Sequence, residues 1–173
     1  MNVIIRQEVP EDYEAVYTLT QAAFREMEHA DGDEQEIIGK LRNKAGFLPE
    51  LSLVAERAGQ IVGHVLFTEI TIDGHPALVL GPISVLPELQ GRGIGAMLME
   101  AGHAAARRLG FSVCVLVGHA DYYPRFGYEP ISEHGIVFPF EAPEACKMVK
   151  FLTEGGRAVR GTAVFPPELM EGS

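Results

Sequence analysis

The chain is short of positive charge: 14 Lys and Arg stand against 24 Asp and Glu in 173 residues, a formal net charge of -10. Phosphate-backbone binding draws its affinity from clustered Lys and Arg that release counterions, so this balance argues against a nucleic-acid partner. Cysteine is scarce as well. Cys114 and Cys146 lie far apart, with neither the CxxC spacing of a redox pair nor partners for zinc, and are expected to be buried free thiols. The six histidines (His29, His64, His75, His103, His119 and His134) never fall at metal-ligand spacing on one helix or strand, so no metal is expected. His64, in the middle of an alternating strand, reads as a core or interface residue. No apolar run reaches spanning length, and residues 1–8 lack a basic stretch followed by an apolar run of secretory length. The expectation is a cytoplasmic protein without a membrane partner.

What is present is enough apolar residue, 47% against 22% charged, to bury one sizeable core in one domain spanning 1–173. A β-branched run at 2–6 is followed by Pro10, Glu11 and Asp12, the acidic opening of a helix. Tyr13, Val16, Tyr17, Leu19, Thr20 and Phe24 fall at spacings of three and four, so the helix buries one stripe and ends near Met27. An acidic segment at 26–36 (Glu26, Glu28, Asp31, Asp33, Glu34, Glu36) precedes a second short helix marked by Ile37, Ile38 and Leu41. Strands at 51–58 and 60–72 turn at Gly59, and Asp73-Gly74 turns the chain again into Ala77-Leu78-Val79-Leu80. That fourth strand is apolar throughout and must be covered on both faces, so it is central.

At Gly81-Pro82 the ladder cannot continue regularly, because Pro82 has no N–H and glycine in a strand often marks a bulge; the sheet is predicted to open here. Residues 83–85 are extended, 86–89 form a loop, and 93–109 form a helix capped by Gly110. Val113-Cys114-Val115-Leu116-Val117 then reads as a buried strand parallel to the fourth, since a helix connects the two. A short helix or turn at 121–126 and strands within 128–140 and 145–152 complete the reading.

The chemistry-bearing motif is Gln90-Gly91-Arg92-Gly93-Ile94-Gly95-Ala96. Three alternating glycines where a loop becomes a helix leave several N–H groups without intrahelical partners, and the helix dipole adds partial positive charge there. This is an anion cradle. Gly91 to Ala96 also fit the G-x-G-x-x-A form of the dinucleotide fingerprint. In that motif, however, the first glycine follows its strand almost at once, whereas residues 86–90 intervene here, and the roughly fifty residues after Asp121 are too few for a doubly wound sheet. No Lys-Ser or Lys-Thr follows the glycines, which excludes a P-loop.

The motif resembles the signature of the GNAT superfamily of acyl-CoA N-acyltransferases (Gln or Arg, two residues, Gly, one residue, Gly or Ala), met by Gln90, Gly93 and Gly95. The stretch from Leu80 to Gly95, coupled to Tyr122-Tyr123-Pro124-Arg125-Phe126-Gly127-Tyr128, looks particularly like the YhbS-like branch. The resemblance implies an α/β fold (α+β in some schemes): a mixed, mostly antiparallel sheet of about six to seven strands with a splayed parallel central pair, flanked by about four helices. It also implies an enzyme that moves the acetyl group of acetyl-CoA to a primary amine. By it, the backbone of Ile83, Ser84 and Val85 pairs with the pantetheine arm. The N–H groups of Gly91, Arg92, Gly93, Ile94, Gly95 and Ala96 hold the pyrophosphate, and the N–H of Val85 or a neighbour polarises the thioester carbonyl.

Tyr123, four residues before Gly127, matches the family tyrosine that protonates the departing thiolate; the plainer reading is a Tyr in an aromatic cluster with Tyr122, Phe126 and Tyr128. Tyr122 itself is expected to pack. Many family members carry a Glu on the fourth strand where this chain has Leu80-Gly81-Pro82, so the general base is open among Glu69, His119, Glu28 and His29. That gap permits a CoA-binding sensor without turnover, and the NAD-binding oxidoreductase stands behind it. Glu26, Glu28, Asp31 and Asp33 occupy the loop region that in the resembled fold often borders the acceptor cleft, so they favour a cationic acceptor, a small-molecule or peptide amine, and the resemblance is compatible with a homodimer.

Overall fold

The computed structural model describes residues 2–25, 27 and 32–170. Strand β1 (Ile4–Gln7) leads through a 3-10 turn (Pro10–Asp12) into helix α1 (Tyr13–Phe24), and helix α2 (Glu34–Arg42) follows. Strands β2 (Phe47–Arg57), β3 (Gln60–Ile72) and β4 (His75–Val85) form an antiparallel meander. Helix α3 (Ile94–Arg108) crosses over to β5 (Val113–Val117), which lies parallel to β4 as expected. Strands β6 (Glu129–Pro130), β7 (Ile136–Val137), β8 (Lys147–Phe151) and β9 (Gly161–Val164) complete the sheet. Its path is β1-β2-β3-β4-β5-β8-β6, with β9 beside β3 and β7 parallel to β9. No helix among the described residues is long and apolar enough to cross a membrane.

Nine strands and three α-helices among the described residues correct the expected six to seven and four. The strand expected within 128–140 is instead β6, a 3-10 turn (Ile131–Glu133) and β7, because Pro130 offers no N–H and Gly135 takes a left-handed φ of 68°. The two hairpin turns follow from sequence. Ala58 and Gly59 take φ of 51° and 79°, Asp73 and Gly74 take 47° and 79°, as turns with two left-handed central residues require. Helix α1 begins where Pro10 sets the first turn and Asp12 accepts the Val9 N–H at 2.9 Å. It ends at Phe24 rather than Met27.

The sheet separates two apolar layers by the two-residue alternation of its strands. On one face α3 lays Ile94, Leu98 and Met99 against Val65, Phe67 and Leu78. On the other, α1 and α2 cover Val54 and Leu66, and the segments before and after β8 cover Ile72, Val79 and Val115 with Phe138 and Phe165.

The break in this order lies on β4. Val65 faces Ile83 but Phe67 faces Leu80, so two steps on β3 span three on β4, and the extra residue falls at Gly81-Pro82, where Gly81 has φ of 148°. This is the predicted bulge. It returns Ile83 and Val85 to the α3 face beside Leu80 and turns Ser84 toward α1. Beyond it β4 and β5 part: they pair only at Leu78 with Cys114 and Val79 with Val115.

Candidate active site

The open side of the splay is lined by backbone. The Leu86 N–H donates to Val62 O at 2.9 Å, so strand alternation turns the N–H and C=O of Val85 and Ile83 away from β3, into the space that β5 has left. Ser84 lies between them with its backbone in the ladder opposite His64 and its buried Oγ 3.4 Å from Thr20 Oγ1. Gln90 Nε2 donates to Val85 O at 3.1 Å and ties the following loop to the end of β4.

That loop descends through a 3-10 turn (Pro87–Leu89) to Gly91, with φ of 77°, and to Gly93, which caps α3 with φ of 87°. A side chain in this region costs about 1–2 kcal/mol, which is why glycine stands here. The first intrahelical bond runs from Met97 N–H to Gly93 O, leaving the N–H groups of Ile94, Gly95 and Ala96 without intrahelical acceptors. Ile94 is buried and pins the helix start to the core, while Gln90, Gly91, Arg92 and Gly93 are exposed. The result is a rigid turn with free donors at the positive end of a 15-residue helix.

Across the splay, β5 ends at Val117 and the chain turns through Gly118 to a 3-10 turn (Tyr123–Phe126). A Cβ at Gly118 would lie 2.3 Å from the Tyr123 ring, so glycine is what lets the ring lie against the strand end. His119 O accepts from the Tyr122 and Tyr123 N–H groups at 3.2 and 3.4 Å, and Lys150 Nζ, reaching from β8, donates to Phe126 O at 2.6 Å. Tyr123 is half-buried, edge-on to Tyr122 and Tyr128 with centroids 5.1 and 6.0 Å away. Its hydroxyl has no hydrogen-bond partner among the described residues. Burial, helped by Tyr122, pushes its pKa up to about 12, above the value near 10 at which a phenol is already protonated at neutral pH. The aromatic cluster and the free proton donor coexist.

Behind the ring runs a buried polar chain that sequence reasoning missed. Tyr128 donates to Cys114 Sγ at 3.3 Å and lies 2.8 Å from His103 Nε2, which donates to it when the Tyr128 proton is so engaged. Burial pushes His103 down to about 3, so it is neutral. Positions 103, 114 and 128 share no local spacing, so no pattern could have joined them.

The candidate bases are dispersed. Glu69 is half-buried opposite Leu78, on the paired side of the bulge, and His119 is exposed where its carbonyl holds the Tyr123 turn. Glu28 and His29 lie outside the described residues, as do Glu26 and Asp31 of the acidic segment; Asp33 is exposed before α2. His64 is fully buried, as expected of a core residue, but within a network that was not foreseen. Ser52 Oγ gives its one proton to Glu8 at 2.9 Å, so it must accept from His64 Nε2, also at 2.9 Å, and Arg42 grips the Glu8 carboxylate at 2.6 Å. Burial, reinforced by Arg42, pushes His64 down to about 3 and excludes it as a base at neutral pH. Cys114 is buried as expected, whereas Cys146 is half-buried.

The acetyltransferase (GNAT) domain family matches residues 49–130, from β2 through the splay to β6. An uncharacterized N-acetyltransferase of Escherichia coli K12, YjhQ, is 38% identical over 128 residues, covering 69% of this chain and 71% of that protein. The chain belongs to the GNAT acetyltransferase family. Within it, the uncharacterized N-acetyltransferase YhbS of the same strain is 27% identical over 155 residues, 88% of this chain and 89% of that protein. A Brucella melitensis GNAT family acetyltransferase, solved with acetyl-CoA, superposes with a TM-score of 0.81 at 32% identity over 96% of this chain and 97% of that one. Escherichia coli YhbS, solved with CoA, gives a TM-score of 0.87 at 24% identity over 97% and 92%, a likeness of fold.

Proposed function

We propose that the chain, as one domain over 1–173 acting in the cytoplasm, transfers the acetyl group of acetyl-CoA to a primary amine by direct attack, with Tyr123 as general acid. The observation that supports this reading is the Tyr123 hydroxyl, without a hydrogen-bond partner among the described residues, on a ring held edge-on by Tyr122 and Tyr128 in the turn that follows β5. The N–H groups of residues 91–96 hold the pyrophosphate, and the backbone polar groups of Ile83 and Val85, free of the β3 ladder, take up the pantetheine amides. A Val85 N–H aimed at the thioester oxygen stabilises the charge that develops as the amine attacks. Collapse breaks the C–S bond, and the Tyr123 proton passes to the departing thiolate. Among the described residues, Glu69 and His119 are the candidates for taking the ammonium proton, and the acidic segment at 26–36 favours a cationic acceptor. A panel of cationic, neutral and acidic amines, read by release of free thiol from acetyl-CoA, tests the reading. Turnover with a cationic amine is expected. Acetyl-CoA binding without thiol release from any acceptor would instead identify a sensor.

A further inference from the structure

Gly95 has an ordinary helical backbone in the first turn of α3, where alanine would favour the helix by roughly fivefold. Its reason is steric. A Cβ at Gly95 would lie 2.9 Å from the hydroxyl of Tyr122, so the tip of that ring reaches across the splay to the helix start, beside the N–H groups that lack intrahelical acceptors. Tyr122 therefore does more than pack. Its ring is held edge-on by Tyr123 and Phe126, with centroids 5.1 and 5.2 Å away, and the Arg125 guanidinium lies over its face 4.7 Å from the centroid. Arg125 is itself fixed by bonds to Tyr122 O at 3.0 Å and Asp121 O at 3.4 Å, and it has no carboxylate partner among the described residues. The Tyr122 hydroxyl makes no hydrogen bond among the described residues either. A fixed, unused O–H donor and an unneutralised cation thus flank an anion cradle in a chain whose net charge is -10.

We infer that Tyr122 is a binding residue for the phosphate end of the acyl-CoA: its hydroxyl donates to a phosphate oxygen lodged on the first turn of α3, and Arg125 holds the ring in place and adds positive charge. This rests on the acyl-CoA reading of the glycine loop. A donor whose ring is already immobilised loses little freedom on binding, and its bond to a charged oxygen outweighs one to water.

The test is Tyr122→Phe, which keeps the ring and removes only the hydroxyl, titrated calorimetrically with CoA beside wild type and Arg125→Gln. We expect the Kd to rise about tenfold for Tyr122→Phe, with the melting temperature of the free protein within about 2 °C of wild type. In turnover, the KM for acetyl-CoA should rise while kcat stays within about twofold. Arg125→Gln should flatten the dependence of Kd on salt. Equal Kd values for wild type and Tyr122→Phe overturn the inference, as does a loss of affinity matched by a loss of melting temperature, which would mean a packing role. Failure of wild type to bind CoA would instead overturn the reading of the loop itself.

Discussion

The loop carrying Gly91 and Gly93 and the turn carrying Tyr123 face each other across the splay, and they are held in opposite ways. The loop is its own scaffold. Two left-handed glycines, the Gln90 side chain on Val85 O and the buried Ile94 fix it within a few residues of where it acts. The turn is held from a distance: Lys150 on β8 grips its carbonyl, the missing side chain of Gly118 makes room for its tyrosine, and Tyr128, just before β6, and His103 on α3 back it. An anion needs only backbone N–H groups at a helix end, which a short sequence can arrange alone. A proton donor needs a side chain held in place with its hydroxyl left unengaged, and neighbours brought by the fold supply that.

The sharpest way to separate the two regions is Tyr123→Phe. Removing the hydroxyl should lower kcat by about 10²- to 10⁴-fold, the usual contribution of general acid catalysis, and leave the Kd for acetyl-CoA nearly unchanged because the ring remains. A variant that keeps full kcat but loses affinity would assign Tyr123 to binding and dissolve the contrast. Gly93→Asp addresses the opposite wall. Acetyl-CoA at 100 times its Kd should stabilise wild type by about 2.7 kcal/mol, and the variant, with a side chain at φ of 87° and a carboxylate in the cradle, should lose that thermal shift. A shift that survives in Gly93→Asp would move the phosphate site elsewhere, whereas NAD should shift neither protein.

A further effect is on acid stability, and its test lies behind the Tyr123 ring. His103, behind the ring, and His64, in the Glu8 network, are both pushed down to about 3 by burial. Between that value and their ordinary 6.5 the unfolded chain binds more protons than the folded one, so their contribution is complete above about pH 6.5 and is lost progressively as pH falls toward 3. The melting temperature should therefore decline from pH 7 to pH 4, and replacing His103 with Gln should shallow that decline. An unchanged slope in His103→Gln would mean that the imidazole is not buried neutral behind the turn. Tyr123 runs the other way, since its raised pKa favours the folded state below about 10 and is lost as pH rises through about 12.

The regions differ likewise in what could be read before folding. Sequence alone determined the hairpin turns at Gly59 and Asp73-Gly74, the bulge at Gly81-Pro82, the parallel β5 and the glycine turn that opens α3. Each depends on backbone freedom, a missing N–H or an apolar period within a few residues. It did not determine β9 or the breakup of 128–140 into β6 and β7, whose strands are too short to carry a period and gain their partners only from the assembled sheet. Nor could it say that Gly95 makes room for the Tyr122 hydroxyl, that Lys150 holds the Tyr123 turn, or that Glu8, Arg42, Ser52 and His64 form one buried network. Those contacts join residues far apart in the chain. Burial strengthens them and displaces their pKa values, and burial exists only once the sheet has closed its two layers.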